Sequence, residues 1–285
     1  MIVLTSNVRK YLGYAFFLIG VLLFILQMCY FFLNHSFRLE YAYSGLFYII
    51  NVLFFSSIGV GLLLLFPLKR NAKRTGIMLI IFLSLANIWL GYKESSKVKD
   101  IISFSSDLNV LLIKNNKETG ESVYYRVSYL LFALPKERLT VPIGTDYKVH
   151  WLEDDVAAVT YKDNHNKIQQ FIGTYGDRGD GAGYYNVGPS IYGTWKGVQS
   201  EVISKSDGIT VKRDGKVQIF SWEQIKQYGT LAIVLSEDGQ AEYTISLKES
   251  FNADQNQPKR ESEQITLYQA EMGKDQAETL TFYKE

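Results

Sequence analysis

Only one cysteine, Cys29, occurs among the 285 residues, and it lies inside an apolar run. The polar remainder therefore has no thiol, which excludes disulfide staples and sulfur-ligated zinc there. A polar half of about 190 residues has no need of either, because it buries a sufficient core. Catalytic signatures are missing as well. There is no Gly-x-Ser-x-Gly elbow, no His-Glu-x-x-His and no phosphate-binding glycine loop. The first 92 residues hold a single acid, Glu40, against seven Lys and Arg. The apolar runs themselves contain no acidic or basic side chain, so they offer nothing for a proton relay, and transport is a poor reading.

The scarcity of acids in front is balanced behind. Of the chain's 30 basic and 29 acidic residues, 23 and 28 fall after residue 92. The net charge of +1 thus hides a basic apolar front and a mildly acidic back. An acidic back half argues against nucleic acid, whose phosphates are neutralised by Lys and Arg. It argues equally against electrostatic docking of this half onto anionic lipid.

What the front does have is length without charge. Residues 11–33 form an uncharged run able to cross about 30 Å of hydrocarbon. A cleaved signal peptide would have a shorter apolar core and a small-residue cleavage site. Lipoprotein processing at Cys29 is disfavoured by Gln27 and Met28 just before it. Further runs at 43–68 and 75–92, edged by Tyr41, Tyr43, Trp89 and Tyr92, predict three membrane spans after a leader at 1–10.

Between the second and third spans stand Lys69, Arg70, Lys73 and Arg74, which cannot enter hydrocarbon. With Arg9 and Lys10 they outnumber Arg38, Lys93, Lys97 and Lys99 on the other side. The charge rule therefore places the N-terminus in the cytoplasm and the C-terminal domain outside it. Gln27, Asn51 and Asn87 fall at similar depth, roughly 8–9 Å below one face of the bilayer. They predict a polar layer of inter-helix hydrogen bonds. Ser57 and Gly61 make a small-residue face on the second helix.

After a charged linker at 93–100 the pattern turns to alternation. Val123, Tyr125, Val127, Tyr129 and Leu131 read as one face of a strand. Residues 147–151, 156–161 and 168–175 read as a meander. Asp214-Gly215 and Asp238-Gly239 signal tight hairpins, and 265–269 with 279–283 close the chain as a last strand pair. Ser221-Trp222-Glu223-Gln224 has the form of a capping box opening one short helix, with Gly229 closing it. The fold class is therefore a membrane protein: three N-terminal transmembrane helices, then an all-β sandwich or barrel-like domain over 101–285 with one short helix. An alternative division into two β modules falls near 197–207.

Candidate sites are few. The glycine-rich stretch 173–197 offers Asp177, Arg178, Asp180, Tyr184 and Tyr185 for contact with a partner or glycan, with Tyr192 and Trp195 nearby. Asp177 and Asp180 do not match an EF-hand, since Gly179 occupies the third position. Arg178-Gly179-Asp180 resembles the integrin-recognition tripeptide, a sequence that recurs by chance. His150, with Asp154 and Asp155 close in sequence, is the one lead toward hydrolysis. The expectation is a bacterial, multi-pass cell-membrane protein that binds, senses or assembles in the envelope without a cofactor. Its partners would be the lipid bilayer and another envelope protein or a cell-wall glycan. The alternatives are an envelope hydrolase and a regulator with its β domain in the cytoplasm.

Overall fold

The computed structural model describes residues 6–178, 185–253, 262–273 and 275–284. Three helices come first: α1 (Ser6–Phe37), α2 (Leu46–Leu65) and α3 (Arg70–Lys97). Each is long and apolar enough to cross a membrane, and an uncharged run in lipid is held to helix because its backbone must satisfy itself. Pro67 enforces the end of α2. The residue before a proline is pushed out of helical geometry, and Phe66 is extended at φ −105° and ψ 135°. Gly61 lets α2 approach α1 closely, since a Cβ there would lie 2.9 Å from the backbone nitrogen of Phe17. The basic segment is shorter as a loop than the sequence suggests. Lys69 caps α3, and Arg70, Lys73 and Arg74 lie exposed in its first turns. Cations oppose the helix dipole at that end by a few tenths of a kcal/mol, far less than their burial in hydrocarbon would cost.

The strands divide between two compact units. One ends at Ile102 and resumes over Leu112–Arg138; the other takes Ser103–Leu111 and the chain from Leu139 on. Five strands make the first sheet: β1 (Glu40–Tyr41), β2 (Val98–Phe104), β3 (Val110–Asn116), β4 (Ser122–Ser128) and β5 (Phe132–Arg138). They are ordered β1-β5-β4-β3-β2, and the division between units falls inside β2 and β3. Helix α3 runs to Lys97 and β2 starts at Val98, so the region expected as a linker over 93–100 is regular structure. The single strand expected through Leu131 is also broken. Tyr129 and Leu130 turn at φ 53° and 56°, which reverses the chain from β4 into β5. Ala42, Leu112, Tyr125 and Ala133 form the small core here.

The second unit holds a meander of β6 (Tyr147–Glu153), β7 (Val156–Lys162) and β8 (Ile168–Thr174), with a short helix α4 (Val187–Ser190) after it. Nine more strands follow: β9 (Gly193–Lys196), β10 (Ser200–Lys205), β11 (Gly208–Arg213), β12 (Lys216–Phe220), β13 (Ile225–Tyr228), β14 (Ala232–Glu237), β15 (Gln240–Leu247), β16 (Gln264–Gln269) and β17 (Ala277–Tyr283). Their sheet order is β12-β11-β10-β9-β17-β16-β15-β14-β13. The sheet curls nearly into a barrel, and Gln218 on β12 reaches Glu237 at 3.2 Å and Tyr243 at 3.0 Å. Residues 197–207 hold β10 and the turns on either side of it within this one sheet, as β10 pairs with both β9 and β11.

Both Asp-Gly pairs sit at positive φ, 51° and 75° at 214–215 and 49° and 75° at 238–239, as two-residue hairpin turns require. The capping box at Ser221 and Gln224 is formed, but it opens only a 3-10 turn over Trp222–Gln224. Ile225 then enters β13, and Gly229 turns β13 into β14 instead of ending a helix. Trp195, Phe220, Ile233, Leu235, Leu267 and Leu280 anchor the core of the curled sheet, all essentially inaccessible.

Candidate functional site

The lone acid of the front segment finds its partner far along the chain. Lys114 on β3 is buried, its side chain only 9 % exposed, and a buried ammonium must be paired and hydrogen-bonded. Its Nζ lies 2.9 Å from Glu40 Oε2 and donates to the Tyr41 carbonyl at 2.7 Å. The Tyr125 hydroxyl donates to Glu40 Oε1 at 2.8 Å, and Lys114 Nζ stands 5.3 Å from the Tyr125 ring centre. Burial first, and then the Glu40 carboxylate, push the Tyr125 hydroxyl far above the ordinary phenol range. Tyr41 stacks between Tyr30, at 4.2 Å, and Phe132, at 5.5 Å. Burial, with Tyr30 beside it, raises its hydroxyl to about 12.

These groups wall a cavity of about 570 Å³ in the first unit, within the size range of small-ligand sites. Tyr30, Tyr41, Tyr43, Tyr48 and Tyr125 face it, and its charged lining is Glu40, Glu94, Glu121 and Lys114. Three carboxylates therefore oppose one ammonium, and that ammonium is tied to Glu40. Glu121 meets Arg138 at 2.7 Å on the surface. Glu94 differs: among the described residues its carboxylate has no hydrogen bond or ion pair, and it is half-buried at the end of α3. Asp100 holds Ser44 at the rim through the serine nitrogen, 2.9 Å, and hydroxyl, 2.7 Å. Next to this cavity a second hollow of about 370 Å³ runs between α2 and α3. Gly45, Tyr48, Ile49, Val52, Leu53, Asn87 and Ile88 are among its lining. Tyr48 belongs to both hollows.

Gln27, Asn51 and Asn87 all bond between helices, but among the described residues Gln27 is not joined to the other two. Asn51 Nδ2 donates to Asn87 Oδ1 at 3.2 Å, and Asn87 Nδ2 to Leu83 of its own helix at 2.9 Å. Gln27 instead donates to the Phe47 carbonyl at 3.1 Å and accepts from the Tyr41 hydroxyl at 3.4 Å. Helix α2 packs against both neighbours, so the amides resolve into one contact on each of its flanks. Arg9 reaches the Leu64 and Leu63 carbonyls at 3.0 and 3.3 Å, which brings it to the end of α2 near Lys69 and Arg70.

In the glycine-rich stretch, Asp180 and Tyr184 lie outside the described residues. Arg178 is not available to a partner. Its side chain is 6 % exposed, and its Nη1 and Nη2 grip Asp155 at 2.6 and 2.8 Å. Its Nε donates to the Lys248 carbonyl at 2.8 Å. The pairing raises Arg178 above its ordinary value despite the opposing effect of burial. Tyr185 accepts from the Arg178 nitrogen at 2.9 Å and packs on the core, as does the wholly buried Trp195. Asp177 is exposed.

His150 is paired away from its sequence neighbours. Asp155 serves Arg178, and Asp154 accepts from Ser106. The His150 Nδ1 lies 3.2 Å from Asp275, and its ring stacks on Tyr268 at 5.3 Å. Burial raises the Asp275 carboxyl, but Lys148 at 2.9 Å, the Tyr268 hydroxyl and His150 outweigh it and hold it below the usual range. No Ser or Thr hydroxyl is joined to His150 among the described residues. Asp107, Asp154 and Glu249 can bring their carboxylates within 4.8 Å of one another, an acidic cluster at the surface of the second unit.

Sequence reading gave Glu40, Lys114 and Glu94 no site role. The signal that marks the first of them was present, because one acid among 92 residues is an anomaly beside membrane spans. Comparison of the chain with protein-family models, with curated proteins and with solved structures returns no match.

Proposed function

We propose that the chain is a non-enzymatic binding or sensing protein of a bacterial cell membrane, and that the tyrosine-lined cavity of the first unit is its ligand site. The N-terminus and the Lys69–Arg74 cations face the cytoplasm in this reading, and the β units lie outside it. The observation that carries the reading is the cavity wall: Glu40, buried Lys114 and buried Tyr125 are hydrogen-bonded together there, while Glu94 has no hydrogen bond or ion pair among the described residues. Networks of this kind hold a site rigid when every member is satisfied. The excess of Lys and Arg at the Arg9 end of the helices supports the orientation. A reporter fused after Glu285 that is active only when exported tests it, and an inactive fusion in a stably produced protein overturns it.

The His150–Asp275 pair favours the envelope-hydrolase alternative. Its test is the effect of His150→Ala on turnover of cell-wall material by membranes containing the protein, and unchanged turnover counts against it.

A further inference from the structure

The two hollows of the first unit differ sharply in chemistry and meet at Tyr48. The upper is polar, acidic and ringed by tyrosines; the lower is apolar and opens along helices that face lipid. A ligand that fills both must be amphipathic. From Gly45 to Leu53 the lower hollow follows α2 for about 12 Å at 1.5 Å per residue, the length of an acyl chain segment.

The upper hollow selects the sign of the head. Lys114 has its charge answered by Glu40, and Glu121 has Arg138, but Glu94 is answered by nothing within bonding distance. Lys97, one turn on in α3, is occupied by Glu118 at 3.0 Å. A carboxylate that Lys97 feels only at a distance, in a cavity wall shared with Tyr43 and Tyr48, is the arrangement that attracts an ammonium group. We infer that one bilayer lipid with an amine-bearing headgroup occupies this site, its ammonium at Glu94 among the tyrosines and one acyl chain between α2 and α3. Tyr48 lines both hollows, and the phosphate of such a lipid would lie beside it. A free amine would use only the upper hollow, and a lipid with an anionic headgroup would meet Glu94 with the wrong charge.

This inference rests on the cavity being a ligand site, as proposed above. The full chain in mild detergent is titrated with dioctanoyl phosphatidylethanolamine, dioctanoyl phosphatidylglycerol and free ethanolamine. Bound lipid is counted by native mass spectrometry and thermal midpoints are followed in parallel. The ethanolamine lipid is expected to bind at least about tenfold more tightly than the glycerol lipid, the scale of one charge-assisted hydrogen bond. Glu94→Gln should abolish that preference, and Glu94→Lys should turn it toward the glycerol lipid. Val52→Phe, which fills the apolar hollow, should weaken both lipids. Equal binding of the two lipids by the native chain, or an unchanged preference in Glu94→Lys, overturns the inference. Free ethanolamine binding as tightly as its lipid also overturns it, but leaves the cavity as a binding site. Absence of binding by all three probes overturns the amine assignment, whereas the exported reporter tests the orientation independently.

Discussion

Replacing Arg178 with Met gives the sharpest test of how the second unit is held together. The guanidinium ties the stretch after β8 to Asp155 through two short bonds and to the Lys248 carbonyl through a third. Met keeps most of the apolar volume and removes every donor. Asp155, its side chain 15 % exposed, is then left as an unpaired buried carboxylate. Breaking a buried pair from one side costs about 3–5 kcal/mol. In a unit of this size each kcal/mol lowers the midpoint by about 2–4 °C, so the fall should be about 6–20 °C. Had Arg178 been a surface contact residue, the same change would cost under about 0.5 kcal/mol.

The assay is thermal unfolding of the full chain in detergent, read by tryptophan fluorescence, since Trp151, Trp195 and Trp222 all lie in the second unit. Adding Asp155→Leu to Arg178→Met should recover at least half of the loss, because the orphaned charge is gone. Arg178→Lys should fall between, as one ammonium cannot copy the two-pronged grip. A Met variant within 1–2 °C of the native chain, or a double variant whose loss is the sum of the two single ones, would refute the reasoning.

Three further outcomes are expected. Gly208 sits at φ 145° with the Phe220 carbonyl oxygen directly in the path of a Cβ. Gly208→Ala should therefore cost several times more than the roughly 1 kcal/mol of Gly215→Ala, whose turn is open; chemical unfolding of both variants measures it. Asn87→Leu removes the hydrogen bond from Asn51 and should lower stability by about 0.6 kcal/mol, with an upper bound near 2, seen as a modest drop in midpoint in micelles. Glu278 is raised by burial, but Ser200, Gln199 and Val198 outweigh this and hold it below its ordinary value, as Lys148 and its neighbours do for Asp275. Depressed carboxyls add stability that is complete above the unfolded value of about 4 and is lost as pH falls through the folded one. Midpoints measured between pH 7 and 3 should drop below about pH 4, and less steeply in Glu278→Gln.

Features written in neighbouring residues were legible in the sequence. The two Asp-Gly turns need positive φ at adjacent positions, and the helices need only length and apolarity. The capping box was legible as hydrogen bonds but not as a helix, because the strand propensity of Ile225 and its pairing to Leu235 take over one turn later. Tyr129 and Leu130 hid their turn, since neither is a residue that favours positive φ. The candidate site was hidden most completely. Glu40 and Lys114 are 74 residues apart, and nothing local to either announces the other. Arg178, offered by the sequence as a contact residue, is the converse case: its burial is decided by Asp155 and the Lys248 carbonyl, which its neighbours in sequence do not announce.

The interrupted course of the first unit has a practical and a biosynthetic corollary. Cutting after Lys97, where the hydrophobic portion ends, would discard β3, β4 and β5 and strand Glu40 without its ammonium. During synthesis the same carboxylate must wait for 74 more residues to leave the ribosome before its counter-ion exists. The membrane portion therefore reaches its final form only after the chain has begun, left and re-entered it, and Arg138 marks the earliest point at which it is whole.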